Sequence, residues 1–275
     1  MKEWIAKIEQ TAEYLKGKTK VRPQLGIILG TGLGGLVKEI EVSDTIGYDQ
    51  IFNFPISTVE SHAGRLIFGR LSGKDVMVMQ GRFHYYEGYT MQQITFPVRV
   101  MKALGARTMI VSNACGGVNP LYAPGDIMLM ADHINFMGDN PLLARNEDVL
   151  GPRFPDMCDA YDRDLIALAE RVALQQQIRV QKGVYMAFSG PNLETAAEYR
   201  MARAMGADVV GMSSVPEVIA ARHAGLRVLG FSIVTDMGLP DALKPASLAH
   251  ILKVAGEAEP KFVRLVTQVV KEMPV

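Results

Sequence analysis

The feature that most restricts the fold is a series of short apolar runs, each of strand length, separated by stretches with helical periodicity. Several runs are apolar at every position, which is typical of strands that are buried on both faces of a sheet. Strands are predicted at residues 23–29, 66–71, 74–81, 107–114, 125–134, 183–190, 207–212 and 226–236. Helices are predicted at residues 4–15, 91–104, 162–176, 194–205, 215–224 and 248–271. The alternation predicts an α/β fold with a central β-sheet that is surrounded by helices.

Length and charge limit the organisation of the chain and its ligands. With 275 residues, 48% of them hydrophobic, the chain is able to bury one large core, so a single domain over residues 1–275 is expected. The 29 basic residues balance the 29 acidic ones, which leaves no overall field to recruit nucleic acid or an anionic membrane. The expected partner is therefore a small molecule, with no nucleic acid and no membrane.

The cysteines and the N-terminus bear on the compartment. Cys115 and Cys158 are too few for a disulfide framework and lack metal-ligand spacing. The opening sequence MKEWIAKIEQ lacks the apolar core of a signal peptide. The longest apolar runs are shorter than the roughly 18 residues that a membrane span requires. These features predict a cytoplasmic protein without a metal site.

A glycine-rich turn follows the first predicted strand in the stretch LGIILGTGLGG, residues 25–35. Its glycines at positions 30, 32 and 35 fit the G-x-G-x-x-G spacing of a dinucleotide site, and such a turn also aims bare N–H groups at other anions. A turn without any ligand is a third interpretation. A dinucleotide fold requires an acidic residue at the end of a second strand about 20 residues later, whereas the segment IGYDQIFNFP is not strand-like there.

Polar residues follow two further strands, at the sheet edge where α/β proteins collect ligands. Arg82, His84 and Tyr86 stand at alternate positions of GRFHYYEGY, so in an extended chain they share one face. An arginine and an imidazole on one face are able to hold a phosphate dianion. In NACGG, Asn113 ends a strand and the small residues let a ligand approach the backbone. An exposed loop and a plain tight turn are the structural alternatives for these two motifs.

A different enzyme class would use Cys115 as a nucleophile, with His84 or His133 as its base. A cysteine beside glycines is more often a small packing residue, and no local signature supports this chemistry. The irregular stretch from Asn135 to Asp162 is long for a compact domain, which is typical of a functional loop.

Nine ordered motifs carry a resemblance to a known family. They are GTGLGG, STVESHAGR, GRFHYYEGY, NACGG, DHINFMGDNPL, RFPDMCDAYD, GPNLETAAE, VGMSSVPEVIAARH and SIVTD. In order and spacing they resemble the trimeric purine nucleoside phosphorylases, whose close relatives are the 5′-methylthioadenosine phosphorylases. The resemblance implies a single-domain, nucleoside phosphorylase-like fold with a mixed central sheet, a homotrimer, and a glycine turn that holds free phosphate.

The reaction implied by this resemblance is phosphorolysis. Inorganic phosphate attacks C1′ of a purine nucleoside and yields ribose 1-phosphate and the free purine, with phosphate as co-substrate and no cofactor. A transition state that resembles an oxocarbenium ion requires an anion beneath the ribose and stabilisation of the charge that grows on the departing base.

The resemblance also assigns site residues in three groups. Phosphate is held by Thr31, His62, Arg82, His84, the backbone N–H of Ala114, and Ser213. The ribose is lined by Tyr86, Met212, Leu248, and Phe154 from the neighbouring subunit. The base is contacted by Asn113, Leu193, Glu194, Val210 and Asp236. His84, Glu194 and Asp236 are the residues expected to be catalytic.

Three departures from the family pattern concern substrate choice. Asp236 stands where 6-oxopurine enzymes have Asn, and a carboxylate accepts a hydrogen bond from a 6-amino group. Leu248 replaces the His that meets the 5′-hydroxyl, unless a shifted register restores that role to His250. Leu193 replaces an aromatic residue that would stack on the base.

The departures leave two alternatives open beside a purine nucleoside phosphorylase. The first two departures are shared with 5′-methylthioadenosine phosphorylases, whereas Glu194 and GRFHYYEGY are of the nucleoside phosphorylase type. A non-catalytic nucleoside-binding protein is disfavoured because it would not need a complete phosphate site. The preference for 6-oxopurines or 6-aminopurines stays open.

Overall fold

The computed structural model describes residues 2–58 and 63–274, and within these ranges nine strands and six α-helices form a mixed α/β fold. The strands are Leu25–Leu29 (β1), Glu41–Gly47 (β2), Arg65–Leu71 (β3), Lys74–Gln80 (β4), Thr108–Gly117 (β5), Ile127–Asn135 (β6), Val180–Ala187 (β7), Val209–Gly211 (β8) and Arg227–Met237 (β9). The helices are Lys2–Lys18 (α1), Met91–Ala103 (α2), Arg163–Gln175 (α3), Ala196–Ala204 (α4), Val215–His223 (α5) and Leu248–Glu272 (α6). No helix in the described ranges is long and apolar enough to cross a membrane.

One sheet contains all of these strands, in the order β2-β3-β4-β1-β5-β8-β7-β6-β9. The neighbours β4, β1, β5 and β9 run parallel, whereas β2, β3 and β4 are joined in antiparallel pairs. Because β9 pairs with both β5 and β6, the strands β5, β8, β7, β6 and β9 close into a ring. The predicted mixed central sheet is confirmed, and the carboxyl ends of its four parallel neighbours open on one edge.

The strands that were predicted from apolar runs are those at the centre of the sheet. All five residues of β1 are buried, as are most residues of β5 and β9. The helices cover the sheet, with α2 packed on α1 and α5, and α6 packed on α3 and β9. The predicted cap of α3 is confirmed, since the Asp162 carboxylate accepts a hydrogen bond from the Leu165 N–H at 3.0 Å.

Two elements differ from the prediction. The strand β2 was missed because it is an edge strand in which Ile46 is the only buried residue, so it shows no alternation of apolar residues. The helix that was predicted from residue 194 begins at Ala196, because the Thr195 side chain accepts a hydrogen bond from the Glu198 N–H and so caps it. Glu194 therefore lies in the loop before the helix.

The glycine-rich turn does not continue as in a dinucleotide fold. It leads into a short 3-10 helix, Gly34–Glu39, and then into β2, which is antiparallel to β3. A dinucleotide fold would continue through a crossover helix to a parallel second strand. The dinucleotide interpretation is therefore excluded by topology.

The long segment between β6 and α3 is irregular, as predicted. It contains one short 3-10 helix, Asp148–Leu150, and its end is fastened by a bidentate ion pair in which the Arg227 Nε and Nη2 atoms donate to Asp162 at 2.6 and 2.7 Å. This pair ties the start of α3 to β9.

Candidate functional site

A cavity of about 400 Å³ opens where the strand ends meet. The ends of β1, β5, β8 and β9, the segment after β4, the loop before α4 and the first turn of α6 line it. The predicted site residues that it brings together are Thr31, Arg82, His84, Tyr86, Asn113, Ala114, Leu193, Glu194, Val210, Met212, Ser213, Asp236 and Leu248. Residues from seven separate stretches of sequence thus form one site.

The two remaining predicted site residues are His62 and Phe154. His62 falls within residues 59–62, outside the part of the chain that the structure describes. Phe154 lies on the irregular segment before α3, where its side chain is 87% exposed, and it does not line the cavity of its own chain.

The glycine turn approaches the next strand closely. A Cβ atom on Gly30 would lie 2.6 Å from the Ser112 carbonyl oxygen, so only glycine lets β1 end against β5 at this point. The Gly35 N–H donates to the Glu259 carboxylate of α6 at 2.6 Å and is therefore not directed at a ligand. Only Gly30 and Thr31 of the turn line the cavity, so fewer residues of the turn are able to contact a ligand there than the sequence suggested.

Arg82 is the buried cation of the site, with 1% of its surface exposed. Its Nη1 atom donates to the hydroxyls of Ser213 and Ser214 at 2.8 Å each, and its Nη2 atom donates to the Ser112 carbonyl at 2.7 Å. The carboxylate of buried Glu217, on α5, lies 3.5 Å from the Nε atom. These contacts hold the guanidinium in one position between β5 and the start of α5.

His84 is oriented by Glu87. The Nδ1 atom of the His84 ring lies 3.1 Å from a Glu87 oxygen, and the other oxygen of Glu87 accepts from the N–H and hydroxyl of Thr58 at 2.8 and 2.6 Å. Burial by itself would raise the pKa of Glu87, but the hydrogen bonds from His84 and Thr58 outweigh it and lower the pKa to about 2. The ionised carboxylate therefore fixes the orientation of the ring.

Tyr86 lies beside His84, as predicted, but the backbone that places it there is not extended. The sequence suggested an extended chain, whereas residues Tyr85–Glu87 form a short 3-10 helix. The rings of His84 and Tyr86 nevertheless stack, with centroids 4.7 Å apart and planes 13° from parallel, and both line the cavity.

Two carboxylates, those of Glu194 and Asp236, lie in the same cavity and both have raised pKa values. Burial raises the pKa of Glu194, to which the nearby charge of Asp236 adds, and a hydrogen bond with Tyr199 opposes the shift. Burial also raises the pKa of Asp236, although a hydrogen bond from the Thr235 hydroxyl at 2.9 Å and the charge of His250 oppose it. Each carboxyl group is thus easier to protonate than an exposed one.

Tyr199 is the site residue that sequence reasoning missed. Its hydroxyl lies 3.8 Å from the position that a Cβ on Gly116 would take, and Asp236 Oδ2 lies 3.5 Å from the same position. Burial and the charges of Glu194 and Asp236 raise the pKa of Tyr199, so it remains a donor between the two carboxylates. Its place inside α4 gave only the signal of a core residue.

Asn113 and Glu194 each have one buried oxygen that accepts no hydrogen bond from the described residues. Asn113 Nδ2 donates to the Ser214 hydroxyl at 2.9 Å, while buried Asn113 Oδ1 and Glu194 Oε1 have no hydrogen-bond partner among the described residues. Buried polar atoms without partners are uncommon, so two in one cavity indicate groups that a ligand satisfies.

Cys115 lines the cavity but is not suited to act as a nucleophile. Its thiol donates to the Ile233 carbonyl at 3.3 Å, and burial, with the nearby charge of Asp236, raises its pKa well above the ordinary value. The thiolate that attack requires is therefore disfavoured. His133, one of the two suggested bases, lies instead 3.2 Å from the Tyr161 hydroxyl.

The start of α6 forms the rim of the cavity. Leu248 is its first residue, 54% exposed, and it lines the cavity together with Ile251, whereas His250 does not line it. The structure thus favours the ungapped alignment of this helix with the family pattern, which puts an apolar residue at this position. No group of three or more His, Cys, Asp or Glu side chains with the geometry of a metal site occurs in the described ranges.

Comparison with known proteins identifies the family. A family model described as the phosphorylase superfamily matches residues 24–271. The chain is 53% identical over 266 residues to purine nucleoside phosphorylase 1 of Geobacillus stearothermophilus, an alignment that covers 97% of each chain. The chain belongs to the purine nucleoside phosphorylases of this superfamily.

Other members of the family confirm the fold. The purine nucleoside phosphorylase of Bos taurus is 48% identical over 274 residues, which cover 97% of this chain and 95% of that one. Solved structures of the Schistosoma mansoni purine nucleoside phosphorylase in complex with adenosine and with inosine each give a TM-score of 0.94 at 40% identity, covering 98% of both chains.

A test of the Arg82 anchor is its replacement by alanine. Arg82→Ala leaves Glu217 buried without its cation, so the free energy of unfolding is expected to fall by about 3–5 kcal/mol. Urea unfolding followed by circular dichroism measures the loss. The matched control is Arg70→Ala, which removes an ion pair with Asp75 whose arginine is 62% exposed and should cost only about 0–1 kcal/mol. Equal losses in the two variants would contradict the anchoring role.

Proposed function

We propose that the chain is a purine nucleoside phosphorylase, which transfers the ribosyl group of a purine nucleoside to inorganic phosphate. The observation that carries this proposal is a single cavity that combines cationic and hydroxyl donors with two carboxyl groups of raised pKa. The first set suits the phosphate that attacks C1′, and the second suits the base that departs.

The proposed phosphate site consists of side chains whose donors are already oriented. The Ser213 oxygen accepts a hydrogen bond from Arg82, which leaves the Ser213 proton to be donated to phosphate. Glu87 orients the His84 ring, which then serves as a second donor to phosphate. Thr31, the backbone N–H of Ala114 and His62 complete the proposed set, the last by family resemblance alone.

The proposed base site uses its two carboxyl groups differently. A protonated Asp236 donates to N7 of the purine and so neutralises the charge that grows as the glycosidic bond breaks. Glu194 accepts from N1–H of a 6-oxopurine when ionised, or donates to N1 of adenine when protonated. Asn113, Leu193 and Val210 are proposed to surround the ring.

We propose that Tyr86, Met212 and Leu248 line the ribose and that the protein is a homotrimer in which Phe154 completes a neighbouring pocket. An aromatic side chain that is 87% exposed costs free energy in water and gains it when a partner covers it. The segment that carries Phe154 has little regular structure, so it is free to extend toward a second copy.

Some further features are also proposed. The reaction needs no cofactor, because phosphate is itself the second substrate and the residues of the cavity supply the acid and the donors. Residues 1–275 form one domain. Both cysteines are free thiols, which is consistent with a cytoplasmic location.

The alternative substrate is 5′-methylthioadenosine. The apolar Leu248 at the rim of the cavity suits a methylthio group better than a hydroxyl. A non-catalytic nucleoside-binding protein is disfavoured by Arg82 and His84, since a protein that only senses nucleosides has no use for an oriented set of phosphate donors.

Incubation of the protein with inosine, guanosine, adenosine and 5′-methylthioadenosine, with and without phosphate, tests the proposal. Free base is expected to appear only with phosphate, together with ribose 1-phosphate for the three ribonucleosides. Release of base without phosphate would indicate a hydrolase. Nucleoside binding without turnover would indicate a binding protein.

Asp236→Asn tests how the base is selected. When the Asp236 carboxyl group donates its proton to N7, its other oxygen opposes the O6 acceptor of hypoxanthine but accepts from the amino group of adenine, whereas an amide donates to O6 and N7. The ratio of kcat/KM for inosine to that for adenosine should therefore rise, roughly tenfold for each 1.4 kcal/mol of changed transition-state interaction. Asp241→Asn, at a carboxylate that is 94% exposed, should leave the ratio unchanged. A ratio that stays constant in Asp236→Asn would show that this residue does not contact the 6-position.

Phe154→Ala tests the shared site. Loss of a buried phenyl ring from the neighbouring pocket should raise the KM for nucleoside about tenfold or more, with no loss of thermal stability. Leu174→Ala, at an equally exposed residue of α3, is the control and should change neither quantity. A wild-type protein that sediments as a monomer at assay concentration and remains fully active would rule out the shared site.

A further inference from the structure

A second cavity, of about 240 Å³, lies between α1, α2, the end of α5 and the irregular segment before α3. None of its lining residues belongs to the candidate functional site. Its walls include Trp4 of α1 and Gln92 of α2, together with three side chains that are able to carry positive charge: Arg99, Arg145 and His223. We refer to it as the Arg99 cavity.

Arg99 is a buried cation without a counterion. Only 7% of its surface is exposed, and its Nη1 atom donates to the Leu150 carbonyl at 3.1 Å. No carboxylate in the described ranges lies within 4.0 Å of its guanidinium nitrogens. Burial lowers the pKa of Arg99 to about 10, so the group remains charged at neutral pH. A buried charge without a partner costs several kcal/mol, which an anion would offset.

His223 adds a second polar group to the same wall. Only 4% of the residue is exposed, and its Nδ1 atom has no hydrogen-bond partner among the described residues. Its Nε2 atom lies 3.3 Å from Asn146 Oδ1. Burial and the charge of Arg99 lower the pKa of His223 to about 4, so its ring is neutral at neutral pH and adds no second positive charge beside Arg99.

The remaining charged groups of the cavity do not neutralise Arg99. Arg145 is exposed and adds positive charge, and Glu147, the carboxylate that lines the cavity, forms no ion pair with either arginine in the described ranges. The cavity is therefore positive on balance, and Gln92 and Thr95 supply neutral polar groups beside it.

We propose that the Arg99 cavity binds a small oxyanion, of which inorganic phosphate and sulfate are examples, with the Arg99 guanidinium as its principal donor. A guanidinium presents paired N–H groups whose spacing matches two oxygens of a phosphate or carboxylate group. A carboxylate on a second copy of the chain offers the same chemistry, and the experiment separates this source from a free ion.

The test introduces a competing carboxylate into the cavity wall. In Gln92→Glu the new carboxylate lies in the wall of the Arg99 cavity, where it repels an oxyanion and offers Arg99 a negative charge. Gln93→Glu is the matched control, because it puts the same charge in the same helical turn but on an exposed residue whose side-chain oxygen caps the Thr90 N–H. The helix dipole thus acts equally on both new carboxylates, and only Gln92→Glu should affect the cavity.

Binding of inorganic phosphate is measured by isothermal titration calorimetry, without nucleoside and at constant ionic strength. Wild type and Gln93→Glu are expected to bind two phosphates per chain, one in the functional site and one in the Arg99 cavity. Gln92→Glu is expected to bind one, with the second weakened at least about tenfold. Arg99→Gln should show the same loss, and Gln92→Glu decides the test if Arg99→Gln does not fold.

Other outcomes separate this inference from the proposed function. One phosphate in wild type and none in Gln92→Glu would support the Arg99 cavity and contradict phosphate binding at the functional site. Equal stoichiometry in wild type and Gln92→Glu would overturn the inference. So would a midpoint of thermal unfolding that rises with protein concentration in wild type but not in Gln92→Glu, when phosphate raises the midpoint equally in both proteins. That result would assign the counterion to a second copy.

Discussion

The candidate site depends above all on the buried interaction between Arg82 and its partners. One guanidinium joins the segment after β4 to the carbonyl of Ser112 on β5 and to the start of α5. There it contacts two serine hydroxyls just before the helix and the carboxylate of Glu217 in its first turn. A cation so far from water is stable only because each contact is present. The geometry of the phosphate donors is thus fixed by the same contacts that keep the fold together, and a ligand finds them already in place.

The second constraint is that one small cavity contains two different electrostatic environments, one with hydrogen-bond donors and one with carboxyl groups. His84 and Arg82 present donors, and the ionised Glu87 keeps the imidazole oriented. Burial raises the pKa values of Glu194 and Asp236, so these groups are able to hold a proton where an exposed carboxyl group would lose it. A reaction that brings an anion to one side of a sugar and removes a base from the other requires this difference.

The sequence predicted those parts of the molecule that local chemistry determines. Continuous apolar runs indicated the central strands, and Arg82, which follows β4, was correctly expected beyond a strand end. Asn113 was expected to end a strand, but β5 continues to Gly117 and Asn113 lies within it. The edge strand β2 gave no apolar pattern, and Tyr199 gave the pattern of a core residue, because its function depends on Glu194 and Asp236 lying beside it in space. The partners of Arg82 on α5 are likewise more than 130 residues away along the chain, where no periodicity reveals them.

The contact between Glu259 and the Gly35 N–H ties α6 to the glycine turn. The same helix carries Leu248 in its first turn, at the rim of the cavity, and Glu259 about 16 Å further along its axis. A displacement of α6 that makes room for a larger 5′-substituent therefore pulls on the glycine turn that borders the phosphate donors. Complexes of the protein with nucleosides that differ only at the 5′-position would then differ in their apparent affinity for phosphate. The two substrates would be linked through α6, although phosphate does not contact the 5′-position.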